Sequence, residues 1–337
     1  MISPRPIPEL LHVDPAGFRE TVVAAYQPVV LRGLVRDWPA VRAGATSAAA
    51  LADYVKGFDR GAPVETFMGP AAINGRFFYR DDMAGFNFER RPQRIGELFD
   101  RLLAPPEDAA PLSLYAGAVP TPEHLPGFQQ ANPLALLDPR IAPRMWIGNA
   151  SIVAAHYDLS DNLACVVAGR RRFTLFPPEQ VANLYVGPLD HTIAGQSASM
   201  AFVQDPDLQR HPRMAEAMQA AQTAELEPGD AIYIPTLWWH SVQSLDRLNV
   251  LVNYWWDEQP PDSGSPLEAL IHGVLAIGHM PQPRRAAWRA MFDHYVFKTG
   301  GEPAEHLAPE HRGVLGTSTP DLRRRIRAFL LRGMSRP

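Results

Sequence analysis

Cysteine is almost missing from the 337 residues: a lone Cys165 has no partner for an internal disulfide and cannot build a Cys-rich zinc site. That scarcity fits a reducing compartment. A basic excess is missing too, since 32 Lys+Arg stand against 36 Asp+Glu for a net charge of −4, which argues against a dedicated nucleic-acid binder. The opening MISPRPIPELLHVDP lacks the charged start and apolar run of a signal peptide. No stretch approaches the ~18 consecutive apolar residues that span a bilayer as a helix. The expectation is a cytoplasmic protein with no membrane association. The chain also lacks an HExxH pair, a Walker phosphate loop, a G-x-S-x-G elbow, a GxGxxG fingerprint and any internal repeat.

What is present is a globular composition, 46% hydrophobic and 20% charged, enough to build a sizeable core. Proline is frequent, 34 residues or about twice the ~5% average, but scattered as stops between short elements. Asp14-Pro15 reads as an N-cap and first turn before GFRETVVAAYQ, Thr46 or Ser47 as a cap for AAALADYVKGF, and PVVLRGLV from Pro28 as a strand. Between Ser113 and Trp256 the pattern changes to short β-rich runs: LSLYAG, RMWIGNAS, LACVVAG, RRFTLFP, AIYIP and LNVLVNYWW. This predicts a β-barrel or sandwich behind a mixed α/β N-terminal region. After Pro260-Pro261 three helices are expected, near 265–278, 284–297 and 321–333, the last capped by Asp321 and carrying Leu322, Ile326, Phe329 and Leu330 at helical spacing. This helical appendage has two open uses, packing on the barrel or pairing with a second copy as a homodimer.

Within AAHYDLSDN, His156 and Asp158 stand two residues apart, so on a strand both project from one face. Spacing alone is weak, because chance predicts about 0.7 His-x-Asp matches in this composition and two occur. The other, His12-Val13-Asp14, precedes a helix start and its Asp reads as the cap. The second match differs in its surroundings. LACVVAG, a glycine turn and RRFTLFP follow it, resembling a hairpin with His156 and Asp158 at its mouth. Further on, EPGDAIYIPTLWWHSV brings His240 after a turn and a short strand. Barrel closure would set His240 beside the pair, giving two imidazoles and a carboxylate on one side of an ion with about three positions open. The alternatives are a His240 merely buried among Trp238, Trp239 and Tyr254, or His191 in VGPLDHTIAGQ as the third ligand.

Taken together, HYDLSDNLACVVAGRRRFTLFPP, PGDAIYIPTLWWHSV and NVLVNYWW, with PVVLRGLVRDWPA upstream, resemble the cupin-like branch of the JmjC oxygenases, nearest to the asparaginyl hydroxylase known as factor inhibiting HIF. The resemblance spans roughly residues 6–258. It implies a double-stranded β-helix, or jelly roll, in a cupin-like JmjC domain over 1–258 with its β-helix core at about 113–258, followed by a helical region over 259–337. It also implies Fe(II) held by His156, Asp158 and His240, with 2-oxoglutarate as co-substrate. Its distal carboxylate falls to the position of Arg171, where close relatives often carry Lys. Arg171 shares strand parity with Phe173 and Leu175, whereas Arg170 and Arg172 alternate with them. Asn162, Asn253 and Tyr115 match further polar positions around the co-substrate. One departure is Val153, which stands where factor inhibiting HIF offers a threonine hydroxyl. The implied activity is a dioxygenase that hydroxylates a protein or peptide side chain or a small molecule and releases succinate and CO2. The rival function is a non-catalytic metal- or ligand-binding cupin module acting through partners.

Overall fold

The computed structural model describes residues 4–104 and 111–334. In chain order the strands are β1 (Arg5–Pro6), β2 (Glu9–Leu10), β3 (Val29–Leu31), β4 (Pro63–Gly69), β5 (Glu89–Arg94), β6 (Ser113–Pro120), β7 (Pro143–Gly148), β8 (Ser151–His156), β9 (Asp161–Ala168), β10 (Arg171–Phe176), β11 (Gln222–Leu226), β12 (Ala231–Ile234), β13 (Trp239–Ser244) and β14 (Asn249–Trp256). They form a five-stranded sheet, β1-β11-β10-β13-β8, and a nine-stranded sheet, β2-β3-β12-β9-β14-β7-β6-β4-β5. Strand alternation brings Phe173, Leu175, Leu226 and Val242 of the first sheet against Ala164, Val166, Ile232, Ile234 and Leu251 of the second in one buried cluster. The two sheets therefore face each other as a sandwich.

The other side of the nine-stranded sheet is buried as well. Leu163, Cys165, Val167, Val250, Val252 and Tyr254 pack there with Phe18, Leu51, Val55, Leu98 and Phe99 from helical segments. Its central strands are thus covered on both faces, which is why LACVVA and NVLVNYWW read as almost unbroken apolar runs. The segment after Asp14 forms only one α turn, Pro15–Gly17, capped by the Asp14 side chain, and continues as a π-helical turn over Phe18–Val23 that buries Phe18 and Val22. Ser47 caps Ala48–Lys56 by accepting from the Ala50 N–H.

Two sequence expectations change. LACVVAG and RRFTLFP are not a hairpin: β9 pairs with β12 and β14, whereas β10 pairs with β11 and β13. The link at Gly169 carries the chain from one sheet to the other. Gly169 has φ +72°, and a Cβ there would lie 2.3 Å from Asn249 Oδ1 and 2.6 Å from the Leu248 carbonyl, so only glycine turns this corner without strain. The sheets also draw on β1 to β5, which precede Ser113. With the crossing connections, this is a jelly roll.

A β-bulge shapes the strand that leads to the site. His240 lies opposite His156 and Val242 opposite Val153, so two residues on β13 span three on β8. The extra residue lets Val153 and His156, three apart, both face the space between the sheets. The Ser241 hydroxyl secures this by donating to the Val153 carbonyl at 2.8 Å.

The boundary between two compact units falls between Asp257 and Glu258. The second unit contains helices Pro266–Ile277, Gln282–Tyr295 and Pro320–Met334. The last is capped by Thr319, whose hydroxyl accepts from the Leu322 N–H at 3.2 Å. Asp321 sits inside its first turn and pairs with Arg324 instead, so the cap lies two residues before the expected one.

Candidate metal centre

His156 ends β8 and His240 lies in β13 as its direct cross-strand partner, so sheet register alone brings the two imidazoles together at 4.3 Å between ring centroids. Asp158 sits in the loop from β8 to β9. Its carbonyl accepts from the Leu237 N–H at 2.9 Å, tying that loop to the segment before β13. One ligand atom from each of the three side chains lies within 4.8 Å of the others. Among the described residues this is the one such cluster. His191 is elsewhere, its ring stacked on Phe86 and its carbonyl accepting from the Tyr79 hydroxyl at 2.6 Å. Asp14 of the other His-x-Asp match serves as the helix cap.

The ring nitrogens are oriented by the backbone. His156 Nδ1 lies 2.9 Å from the Ala154 carbonyl and His240 Nδ1 lies 3.0 Å from the Trp238 carbonyl. A carbonyl only accepts, so each Nδ1 carries the proton and each Nε2 offers a lone pair to the cluster. Burial pushes the His240 pKa below its ordinary value, which favours the neutral imidazole a metal needs. Asp158 Oδ2 accepts from Trp255 Nε1 at 3.1 Å and from Asn162 Nδ2 at 3.2 Å. Such outer contacts set the direction of a ligating carboxylate.

The three side chains open into a cavity of about 740 Å³ shared with Tyr115, Val153, Asn162, Arg171 and Asn253. Arg171 is 3% exposed, and its Nε and Nη2 have no hydrogen-bond partner among the described residues. Its neighbours in the chain behave oppositely, with Arg170 paired to Glu225 and Asp246, and Arg172 to Glu225. A buried guanidinium with idle donors is costly unless something anionic completes it. Burial raises the Tyr115 pKa to about 12, partly offset by the charge of Arg171, so its hydroxyl stays a neutral donor. The donor set and the waiting guanidinium fit a divalent metal with open positions and a co-substrate carrying a remote carboxylate.

Sequence reasoning missed two tryptophans. Trp255 donates to Asp158. Trp146 Nε1 donates to Asn253 Oδ1 at 2.7 Å. The available signal was parity: Leu251, Asn253 and Trp255 alternate onto one face of β14, the face that lines the cavity.

The sequence matches the family described as "Cupin-like domain" over residues 15–262. Among curated proteins it is 38% identical over 114 residues to the lysine-specific demethylase JMJ31 of Arabidopsis thaliana, covering 33% of this chain and 20% of that protein. It is 35% identical over 108 residues to the tRNA wybutosine-synthesizing protein 5 of Danio rerio, covering 32% and 30%. It is also 35% identical over 147 residues to the human HSPB1-associated protein 1, covering 42% and 30%. These matches span less than a third of the length of those relatives. The jelly roll, the His-Asp-His cluster at one end of β8 and the match across most of the chain agree: the chain belongs to the family of cupin-like domains of the JmjC type.

Proposed function

We propose that this protein is an Fe(II)- and 2-oxoglutarate-dependent oxygenase that hydroxylates a protein or peptide side chain or a small molecule. The observation that carries the reading is Arg171, a buried guanidinium with two idle donors in the same cavity as His156, Asp158 and His240. When bound, Fe(II) and 2-oxoglutarate would let dioxygen act as the oxidant, one of its oxygen atoms ending in succinate as CO2 is lost and the other entering a substrate C–H bond.

The chain's own residues supply placement. His156 and His240 present Nε2, and Asp158 a carboxylate, on one side of the site, so the remaining directions stay free for reactants. Arg171 receives the distal carboxylate of the co-substrate through its unused N–H groups, and Tyr115 adds a neutral hydroxyl nearby. The apolar walls from Val153, Phe173, Val242 and Leu251 exclude water from that end of the cavity. The mouth is framed by Glu65 and Arg90, paired at 3.2 Å, and by Arg144, which lies against Trp255.

The test is anaerobic addition of Fe(II) and 2-oxoglutarate to the full chain. A weak metal-to-ligand absorption band, followed by succinate release when oxygen is admitted, supports the oxygenase. Metal binding with no 2-oxoglutarate binding supports instead a non-catalytic cupin module, the reading that the hydroxyl-free Val153 keeps in play.

A further inference from the structure

Four side chains connect Trp146 to Asp158 in one line. Trp146 Nε1 donates to Asn253 Oδ1 at 2.7 Å, Asn253 Nδ2 to Asn162 Oδ1 at 3.1 Å, and Asn162 Nδ2 to Asp158 Oδ2 at 3.2 Å. The two ends of this chain fix its direction. An indole N–H can only donate, so it holds Asn253 with its oxygen toward Trp146 and its NH2 toward Asn162. Asn162 must then accept with its oxygen, which aims its own NH2 at the carboxylate. Either amide, left alone, could flip by 180° and present oxygen to oxygen. Bonds aligned head to tail also polarise one another toward the terminal acceptor.

The rest of the pocket is built around this indole. Trp146 lies on β7 with its ring 5.9 Å from Tyr115 and 5.8 Å, edge to face, from Trp255. Gly117 makes the room, since a Cβ there would lie 2.8 Å from Trp146 Cζ3. The five residues Trp146, Asn253, Asn162, Asp158 and Trp255 are thus locked in one arrangement.

We infer that Trp146 is a positioning residue for the metal centre, orienting Asp158 through Asn253 and Asn162 without itself ligating the metal. The inference rests on the reading of Asp158 as a metal ligand. The relay would fix the direction of the Asp158 carboxylate, whose Oδ2 also lies 3.6 Å from His240 Nε2.

The test uses the full chain and Co(II) alone, under anaerobic conditions, reading the dissociation constant and the visible ligand-field spectrum. Trp146→Phe keeps a ring over Gly117 but removes the N–H. It is expected to weaken Co(II) binding roughly three- to tenfold, below the roughly 10–100-fold cost of removing a partner that touches a ligand directly, and to shift the spectrum. Asn253→Leu, which breaks the line at its middle, is expected to do the same. The double variant should then be no worse than Asn253→Leu, because both changes cut one line; independent structural damage would instead add. Thermal unfolding of each variant checks that the fold survives. A Trp146→Phe protein with the parent affinity and spectrum overturns the inference while leaving the metal site standing, and so do fully additive losses. A parent protein whose Co(II) binding is unaffected by His156→Ala overturns the metal-centre reading and this inference together.

Discussion

Replacing Arg171 with Met is expected to make the ligand-free protein more stable and, at once, blind to 2-oxoglutarate. Burial pushes the Arg171 guanidinium from 12.5 down to about 10. At about 1.36 kcal/mol per pKa unit, this corresponds to roughly 3 kcal/mol spent on holding the charge inside. Because the folded value lies below the unfolded one, that cost is fully present at every pH below about 10 and is relieved only above it. Methionine keeps most of the aliphatic stem, with a repacking loss of up to about 1.5 kcal/mol. The net gain is about 1.5–3 kcal/mol, or a rise of about 3–6 °C in Tm at about 2 °C per kcal/mol for a chain of this size. The parent should recover when its carboxylate partner is supplied, since ligand at about 100 times its Kd adds about 2.7 kcal/mol. The assay is thermal unfolding at neutral pH with Mn(II) present throughout, with and without 2-oxoglutarate. The variant should unfold later than the parent without the co-substrate and gain nothing from it. A variant that unfolds earlier and still responds to 2-oxoglutarate would refute the reasoning, because the guanidinium would then be satisfied by the protein itself.

Other consequences are simpler to check. His156→Ala or His240→Ala should abolish Fe(II) binding, measured by anaerobic titration, while circular dichroism stays unchanged, since a site with open positions need not hold the fold together; retained stoichiometric binding in both would count against the assignment. Val153→Thr restores a hydroxyl to the cavity wall and should tighten 2-oxoglutarate binding about three- to tenfold by calorimetry, the worth of one hydrogen bond of about 0.5–1.5 kcal/mol; an unchanged Kd would show that the wall does not meet the co-substrate. The C-terminal unit exposes Leu275 at 70% and Phe329 at 69%, large apolar side chains that pairing with a second copy would cover. Light scattering should therefore report a dimer that Leu275→Glu and Phe329→Glu dissociate, and a monomeric parent would contradict it.

Much of this was legible in the sequence, for identifiable reasons. The central strands β9 and β14 of the nine-stranded sheet announced themselves because both their faces are buried, so their apolar runs are dense. Arg171 was separable from Arg170 and Arg172 because strand parity is a local property. What failed were inferences that need the partner strand. Gly169 reads as a hairpin turn, yet the chain changes sheets there, and a φ of +72° serves either outcome. Val153 and His156 differ by an odd number of residues and alternation would set them on opposite faces; only the bulge against β13 puts both in the cavity. The roles of Trp255 and Trp146 stayed hidden because a one-letter code says nothing about where an indole N–H points. Thr319 rather than Asp321 caps the last helix because cap positions are decided by a single residue of backbone geometry.

The corner at Gly169 has a mechanical consequence. His156, His240 and Arg171 hang from one layer of the sandwich, while Tyr115, Asn162, Asn253 and Trp255 hang from the other, and Asp158 rides the strap between them. Anything gripped by both sets acts as a rivet through two plates. Loading the cavity should therefore slow amide exchange in β8 and β9 in concert, although those strands share no ladder, and the empty protein should let its two plates breathe separately.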